Sequence, residues 1–437
     1  MKNGKMRCLL IVVGCWLMVV SAQAQSAFEL ICRNRTFSAS NYSVYPDSVQ
    51  HVMTPPPMGK KPFYISHYGR HGSRYLSNRR GYDTPYRILA KADSLGKLTP
   101  FGKDIFKELQ DIIEDSEGRW GDLTGLGKQQ HRNIAQRMVD RFPEVFAGDA
   151  TVDAHSTTVN RCILSMGAAV QQLVALNPKL RVVMNASQRD MWYMNHQDTF
   201  LRRRMETPVT KKAFTEFSAT REKNDRLMHL LINDSTYIKE ELDDVWLNYY
   251  LIKTALIQQN TSMGKRCNMI DHFSYEEIYQ FWQKENAWWY YRFGASPLTE
   301  GRQPYTQRYL LRQIIQDADS CIQLPMHGAT LRFGHETVVL PLACLLGING
   351  YDMQVERLED LEHEGWWACL IFPMAGNIQL VFYREHPQDP DVLIKVLLNE
   401  NEATLPLPND LAPYYRWRDF RDYYLRKLDE YEATKPY

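Results

Sequence analysis

"PFYISHYGRHGSRY", Pro62 to Tyr75, sets a short apolar run directly against a dense cationic block. "PFYIS" reads as a buried strand, being short, apolar and rich in aromatic and β-branched residues. Three residues on, after His67, Tyr68 and Gly69, come Arg70, His71, Gly72, Ser73 and Arg74. In open α/β sheets, ligands sit outside the carboxyl ends of strands. A strand that runs straight into two arginines, a histidine and a glycine therefore predicts an α/β protein with a polar site at a strand end.

The flanking sequence extends that reading. "TPFGKDIFKELQDIIEDSEG" is a helix with Thr99 as N-cap, and "GLGKQQHRNIAQRMVDRFPEVF" is a second amphipathic helix. "ATVDAHS" is a strand, "TTVNRCILSMGAAVQQLVAL" a helix and "LRVVMN" a strand. Strand and helix in alternation point to a layered α/β architecture. From about Asp190 to Asp319 strand runs nearly vanish, and "KAFTEFSATREKNDRLMHLLIN", "YEEIYQFWQKENAWWYYRFG" and "RYLLRQIIQDADSCIQ" read as helices. "AWWYYRFG" within them is the packed core of that region. "ATLRFGHETVVLPLACLLGI" then returns to strand and helix, and "WWACLIFP", "NIQLVFYRE" and "VLIKVLLNE" follow as strands. The expected organisation is an α/β domain over 45–189 and 320–437, interrupted by a mostly helical insertion over 190–319.

The N-terminus reads as a targeting segment. Lys2, Lys5 and Arg7 precede the apolar "CLLIVVGCWLMVV", and "SAQA" supplies small residues before a cleavage point after Ala24. A secretory signal over 1–24 and an exported protein, secreted or periplasmic, are expected. "VVGC" ending at Cys15 loosely resembles a lipoprotein box, but apolar rather than polar residues follow it. No later stretch is apolar for long enough to cross a membrane as a helix. A formal net charge of +1 on 437 residues excludes general binding of nucleic acid or anionic membrane, so any basic site is local. Cys32, Cys162, Cys267, Cys321, Cys344 and Cys369 remain after cleavage, with no zinc-like pairing; buried free thiols and one or two bridges are both compatible with export.

Two blocks carry chemistry: Arg70 to Arg74, and His335-Glu336 after the strand "TLRFG". Their contents suit phosphoryl transfer. A phosphate monoester is a dianion, and the planar guanidinium fork matches its oxygens with paired hydrogen bonds while staying charged. His71, between Arg70 and Arg74, is placed to attack a phosphorus that they hold, forming a phosphohistidine that water hydrolyses. Gly72 would let backbone approach the phosphate closely. The leaving alkoxide needs a proton, and Glu336 is the candidate donor.

"RHGSR" resembles the RHGxR signature of the histidine phosphatase superfamily, in its acid phosphatase and phytase branch. "GDLTGLGKQQ" (Gly121 to Gln130), "AHSTTVNRCILSMGAAVQQL" (Ala154 to Leu173) and "LRFGHET" resemble three further blocks of that branch in the same order. The resemblance spans about Phe63 to Tyr383 and is nearest to multiple inositol polyphosphate phosphatases, whose strand block "FPMAGNIQLVFY" also resembles. It implies a phosphoglycerate-mutase-like α/β sandwich with a helical insertion, no cofactor and no metal. It implies that Arg161 is a third phosphate-binding arginine and that His335 is the second catalytic histidine. The chain departs from the family in one place: inositol polyphosphate phosphatases usually carry His-Ala-Glu and phytases His-Asp, where His335-Glu336 stand adjacent here.

Further expectations rest on position. His155, near Arg161 at a strand end, is a candidate phosphate contact. Arg80, with Arg79 and the run Arg202 to Arg204, could receive extra phosphates of a polyphosphate substrate. His67 and Tyr68 read as local packing, and Asn377 as a pocket-lining residue. The implied partner is a small-molecule phosphate monoester, phytate first. The alternatives are an acid phosphatase for sugar phosphates and other small monoesters, and a non-catalytic phospholigand-binding protein.

Overall fold

The computed structural model describes residues 26–46, 52–221, 225–325 and 328–434. The expected signal peptide and Cys15 lie outside the described residues. The centre is an eight-stranded mixed sheet: β1 (Lys61–Arg70), β2 (Thr151–Ser156), β3 (Arg181–Asn185), β4 (Gly328–Gly334), β5 (Asn377–Arg384), β6 (Leu393–Leu398), β7 (Asn401–Glu402) and β8 (Tyr414–Arg416). The order is β3-β2-β4-β1-β5-β6-β7, with β8 also on β6. β3, β2, β4 and β1 run parallel, whereas β5 pairs antiparallel with β1 and begins the antiparallel wing. The carboxyl ends of β1, β2 and β4 therefore open on one rim, with Arg70 opposite Gly334 and Ser156 opposite Phe333.

Both faces of the sheet are covered. Helices Gly125–Arg141 and Asn160–Leu176 close one face around Ile134, Met166, Leu173, Val152 and Leu331. On the other, helices Arg308–Ile322, Glu336–Leu345 and Trp417–Thr434 pack Leu311, Val339, Phe382 and Phe420 together. A third core draws on helices and the loops between them. It unites Ala27 and Ile31 with Leu89 and Leu109 of helices Arg80–Ser94 and Pro100–Ser116, and with Leu231, Leu251 and Trp282 of the region after β3. The two early helices thus share a core with the helical region rather than with the sheet.

Most elements follow the sequence reading, including the Thr99 N-cap, whose hydroxyl accepts from the Gly102 amide. Two differ. "WWACLIFP" forms no strand: Ala368–Ile371 is a short helix and Phe372 onward a loop. A short apolar run fits either state, and here Trp366, Ala368 and Ile371 are buried among helical neighbours instead of pairing at a sheet edge. The single helix expected over "KAFTEFSATREKNDRLMHLLIN" is two helical spans, Pro208–Ala219 and Asp225–Leu231. Cys32, Cys162, Cys267, Cys321, Cys344 and Cys369 are all free thiols. No helix among the described residues is long and apolar enough to cross a membrane.

Candidate active site

The loop after β1 is held by backbone from two distant segments. The Arg70 amide donates to the Gly376 carbonyl at 2.8 Å, the His71 amide to that of Gly334 at 2.9 Å, and the Ala375 amide to the His71 carbonyl at 3.0 Å. Gly72 has a role other than the expected approach to phosphate. Its amide donates to Ser165 Oγ at 3.1 Å, and a Cβ there would stand 2.4 Å from the Gly127 carbonyl oxygen. Gly127 is its counterpart, since a Cβ on it would stand 2.3 Å from the Ser73 carbonyl oxygen. The two glycines let the start of helix Gly125–Arg141 press on the catalytic loop. Gly127→Ala should therefore cost roughly 1–3 kcal/mol or more in stability, the usual range for overpacking against an unyielding backbone. Urea unfolding measures this, and an unchanged midpoint would mean that loop and helix are free to separate.

His71 is fully buried, and its Nδ1 lies 2.9 Å from the Gly72 carbonyl oxygen. A carbonyl only accepts, so Nδ1 carries the proton and Nε2 keeps its lone pair. Burial pulls the His71 pKa well below its ordinary value; the Glu336 contact opposes this, and Arg70 and Arg74 reinforce it. The imidazole is neutral, as a nucleophile requires.

The arginines converge on that nitrogen. Arg70, also fully buried, is anchored by Nη1 to the Asn41 and Phe372 carbonyls at 2.6 and 2.9 Å, and burial lowers its pKa to about 10. Arg74 donates to the Tyr75 carbonyl at 2.9 Å, with its guanidinium carbon 5.6 Å from the centre of the Tyr42 ring. Arg161 comes from the first turn of helix Asn160–Leu176; burial, and then the charge of Arg74, lower its pKa. Arg70 Nε and Nη2, Arg74 Nε and Arg161 Nε are buried without a hydrogen-bond partner among the described residues. Buried donors left open in this way call for an acceptor.

His335 is the N-cap of helix Glu336–Leu345, and Glu336 is its first residue. The rings of His71 and His335 lie 5.9 Å apart, edge to face. His335 Nε2 is 3.2 Å from the Thr157 hydroxyl, and burial pulls its pKa down to about 4. The Glu336 carboxylate lies between two guanidinium groups and against the nucleophile: Oε2 is 3.3 Å from Arg70 Nε and 3.2 Å from His71 Nε2, and Oε1 is 3.4 Å from Arg74 Nη2. Burial would raise its pKa, but the charges of Arg70 and Arg74 hold it well below the carboxylate range. Candidate ligand atoms of His71, His335 and Glu336 lie within 4.8 Å of one another. A cation-binding triplet of that kind is set here against Arg70, Arg74 and Arg161, whose field favours an anion.

The structure thus brings together His71, Arg70, Arg74, Arg161, His335 and Glu336. It does not bring in His155, expected as a phosphate contact. His155 Nε2 lies 3.0 Å from Asp153 and Nδ1 3.6 Å from Asp190, and two carboxylates make a repulsive setting for phosphate. Asn377, expected to line the pocket, is buried and bonded to Tyr45, Ala375 and Gln379. Arg80 is exposed, with its guanidinium carbon 5.7 Å from the Trp246 ring centre. The sequence reading missed Thr157, the partner of His335. Its signal was present: a hydroxyl residue just past the end of β2, four positions before Arg161.

An α/β sheet presenting an imidazole lone pair among three guanidinium groups at the strand ends defines a class, that of enzymes transferring phosphoryl groups through histidine. A family model described as histidine phosphatase superfamily (branch 2) matches residues 69–399, and the chain belongs to that superfamily. No curated protein sequence matches the chain. Among solved structures, the fold is similar to a multiple inositol polyphosphate phosphatase from Bifidobacterium longum in complex with phosphate. That match has 17% identity and a TM-score of 0.75, and covers 90% of this chain and 98% of that one. The same enzyme with inositol hexasulfate gives 18% identity and a TM-score of 0.72, covering 87% and 96%. A phytase from D. castellii gives 15% identity and a TM-score of 0.70, covering 96% and 90%.

Proposed function

We propose that this phosphatase hydrolyses phosphate monoesters of inositol polyphosphates such as phytate, through a phosphohistidine on His71. The observation that carries the reading is the set of open guanidinium donors around the His71 Nε2 lone pair. In this reading Arg70, Arg74, Arg161 and His335 bind the phosphoryl group. Nε2 attacks phosphorus, so that a P–N bond forms as the P–O bond to the inositol breaks. Glu336 supplies the proton that the departing oxygen takes up. In the second half, water attacks phosphorus and gives a proton to Glu336 as the P–N bond breaks, which returns the lone pair to Nε2 and releases inorganic phosphate. The fold shared with a multiple inositol polyphosphate phosphatase and a phytase supports this substrate class.

The environment of the expected outer arginines favours one of them. Arg204 is paired with Glu300. Arg202 donates to Gln197 at 3.0 Å and, with His196 and Arg292, lines a cavity of about 170 Å³ that reaches Thr337, next to Glu336. Arg202→Ala should raise KM for phytate roughly tenfold, the worth of one charge-assisted contact, and leave KM for p-nitrophenyl phosphate nearly unchanged. Equal effects on both substrates would remove Arg202 from substrate selection. The engagement of Arg204 and Arg80 elsewhere is the one observation that favours a phosphatase of smaller monoesters. Comparing kcat/KM for phytate and glucose 1-phosphate decides between the two; a preference for glucose 1-phosphate would overturn the polyphosphate reading.

A further inference from the structure

The Glu336 carboxylate lies against the groups that would grip a phosphate. Its two oxygens divide between Arg70 Nε, His71 Nε2 and Arg74 Nη2 at 3.2 to 3.4 Å, and 12% of its side chain is exposed. The contacts are loose. Glu336 Oε2, His71 Nε2 and Arg70 Nε are close without hydrogen-bond alignment, and each is left unbonded among the described residues. A carboxylate in that position offsets part of the charge of the buried Arg70 and Arg74 guanidinium groups.

We propose that Glu336 is the resident anion of the empty active site, and that an incoming oxyanion displaces it and drives it to take up one proton. The proposal rests on the phosphatase reading for its consequence, since the displaced carboxyl would be the proton donor, loaded by the act of binding. The reasoning is electrostatic. One dianion satisfies the arginine set, and a dianion beside an unprotonated carboxylate in a buried space is a like-charge pair, which favours protonation of the carboxyl. The groups facing Glu336 from the first strand and its loop are Tyr68, Arg70, His71 and Arg74. Helix Asn160–Leu176 adds Arg161 and Cys162, and His335 precedes Glu336 on its own chain. Of these, Arg70, Arg74 and Arg161 stay charged and cannot accept a proton. Only Glu336 and the two neutral histidines can, so a test must separate these three.

Inorganic sulfate is the probe, because it stays a dianion throughout the working pH range and every proton taken up comes from the protein. Calorimetric titration of the full chain in two buffers of different ionisation heat reads that number. The expected result is an uptake near one proton per sulfate between pH 5 and 6, with Kd rising about tenfold per pH unit. His71→Ala should retain the uptake. Glu336→Gln should abolish it and flatten the pH dependence, and should bind sulfate roughly tenfold or more tighter at pH 6 because the competing charge is gone. Binding by the native protein without proton uptake overturns the proposal whether or not the variants fold. Undiminished uptake in Glu336→Gln assigns the proton to a histidine and overturns it equally. Turnover of p-nitrophenyl phosphate by the same preparation reads the phosphatase function separately: turnover without uptake leaves the function standing and the proposal refuted.

Discussion

His71→Ala should abolish turnover of every phosphate monoester, by about 10⁴-fold or more, the scale on which loss of a covalent nucleophile is felt. The variant should nevertheless keep its affinity for inorganic sulfate, because Arg70 remains anchored to the Asn41 and Phe372 carbonyls without help from the imidazole. This combination separates a missing nucleophile from a collapsed site. A direct reading is also available. Labelled substrate mixed with the native protein and denatured rapidly in alkali should leave label on the chain that is stable to base and labile to acid, as a phosphoramidate bond is. The alanine variant should carry none. Retained label would move the nucleophile elsewhere, and His335 would be the next residue to replace, since its ring is 5.9 Å away.

The part of this site that was legible in the sequence is the part made of contiguous residues. Arg70, His71 and Arg74 declare themselves because a short apolar strand, buried along nearly its whole length, runs into them, and residue type and spacing suffice to suggest an anion. His335-Glu336 was read from its place after a strand, Arg161 and the role of His335 came by resemblance to ordered family blocks, and the register of the parallel strands then explains why they meet: β2 and β4 end on the same rim as β1. What stayed hidden depends on contacts far apart in the chain. Gly72 was read as a place for phosphate, yet its amide belongs to Ser165 and its missing Cβ to Gly127. His155 lies at a strand end near Arg161, as the phosphate reading required, but Asp190, 35 residues on in the chain, helps claim its ring. "WWACLIFP" is apolar enough for a strand, and only its neighbours decide that it becomes a helix and a loop whose Phe372 carbonyl holds Arg70.

Glu336→Gln should slow phytate hydrolysis by about 10²–10⁴-fold, the usual worth of general acid catalysis, and should slow p-nitrophenyl phosphate far less. The asymmetry follows from the leaving groups. An inositol alkoxide is a strong base and cannot depart without a proton, whereas p-nitrophenolate departs as the anion. Glutamine keeps the shape and the polar contacts of the carboxyl but has no proton to give. The difficulty lies in the free enzyme, where Arg70 and Arg74 hold Glu336 ionised and the start of a helix favours the same form. A donor that begins as a carboxylate can work only if binding protonates it, so kcat/KM for phytate should fall as pH rises above the acid range. Because the depressed pKa belongs to the free enzyme, that fall should begin on the acid side of neutrality. In Glu336→Gln the surviving p-nitrophenyl phosphate activity should lose this limb and keep only the dependence set by the substrate's own ionisation. Equal losses on both substrates, with the alkaline limb intact, would show that Glu336 is not the leaving-group acid, and would leave His335, neutral above about pH 4, as the remaining protic group against the nucleophile.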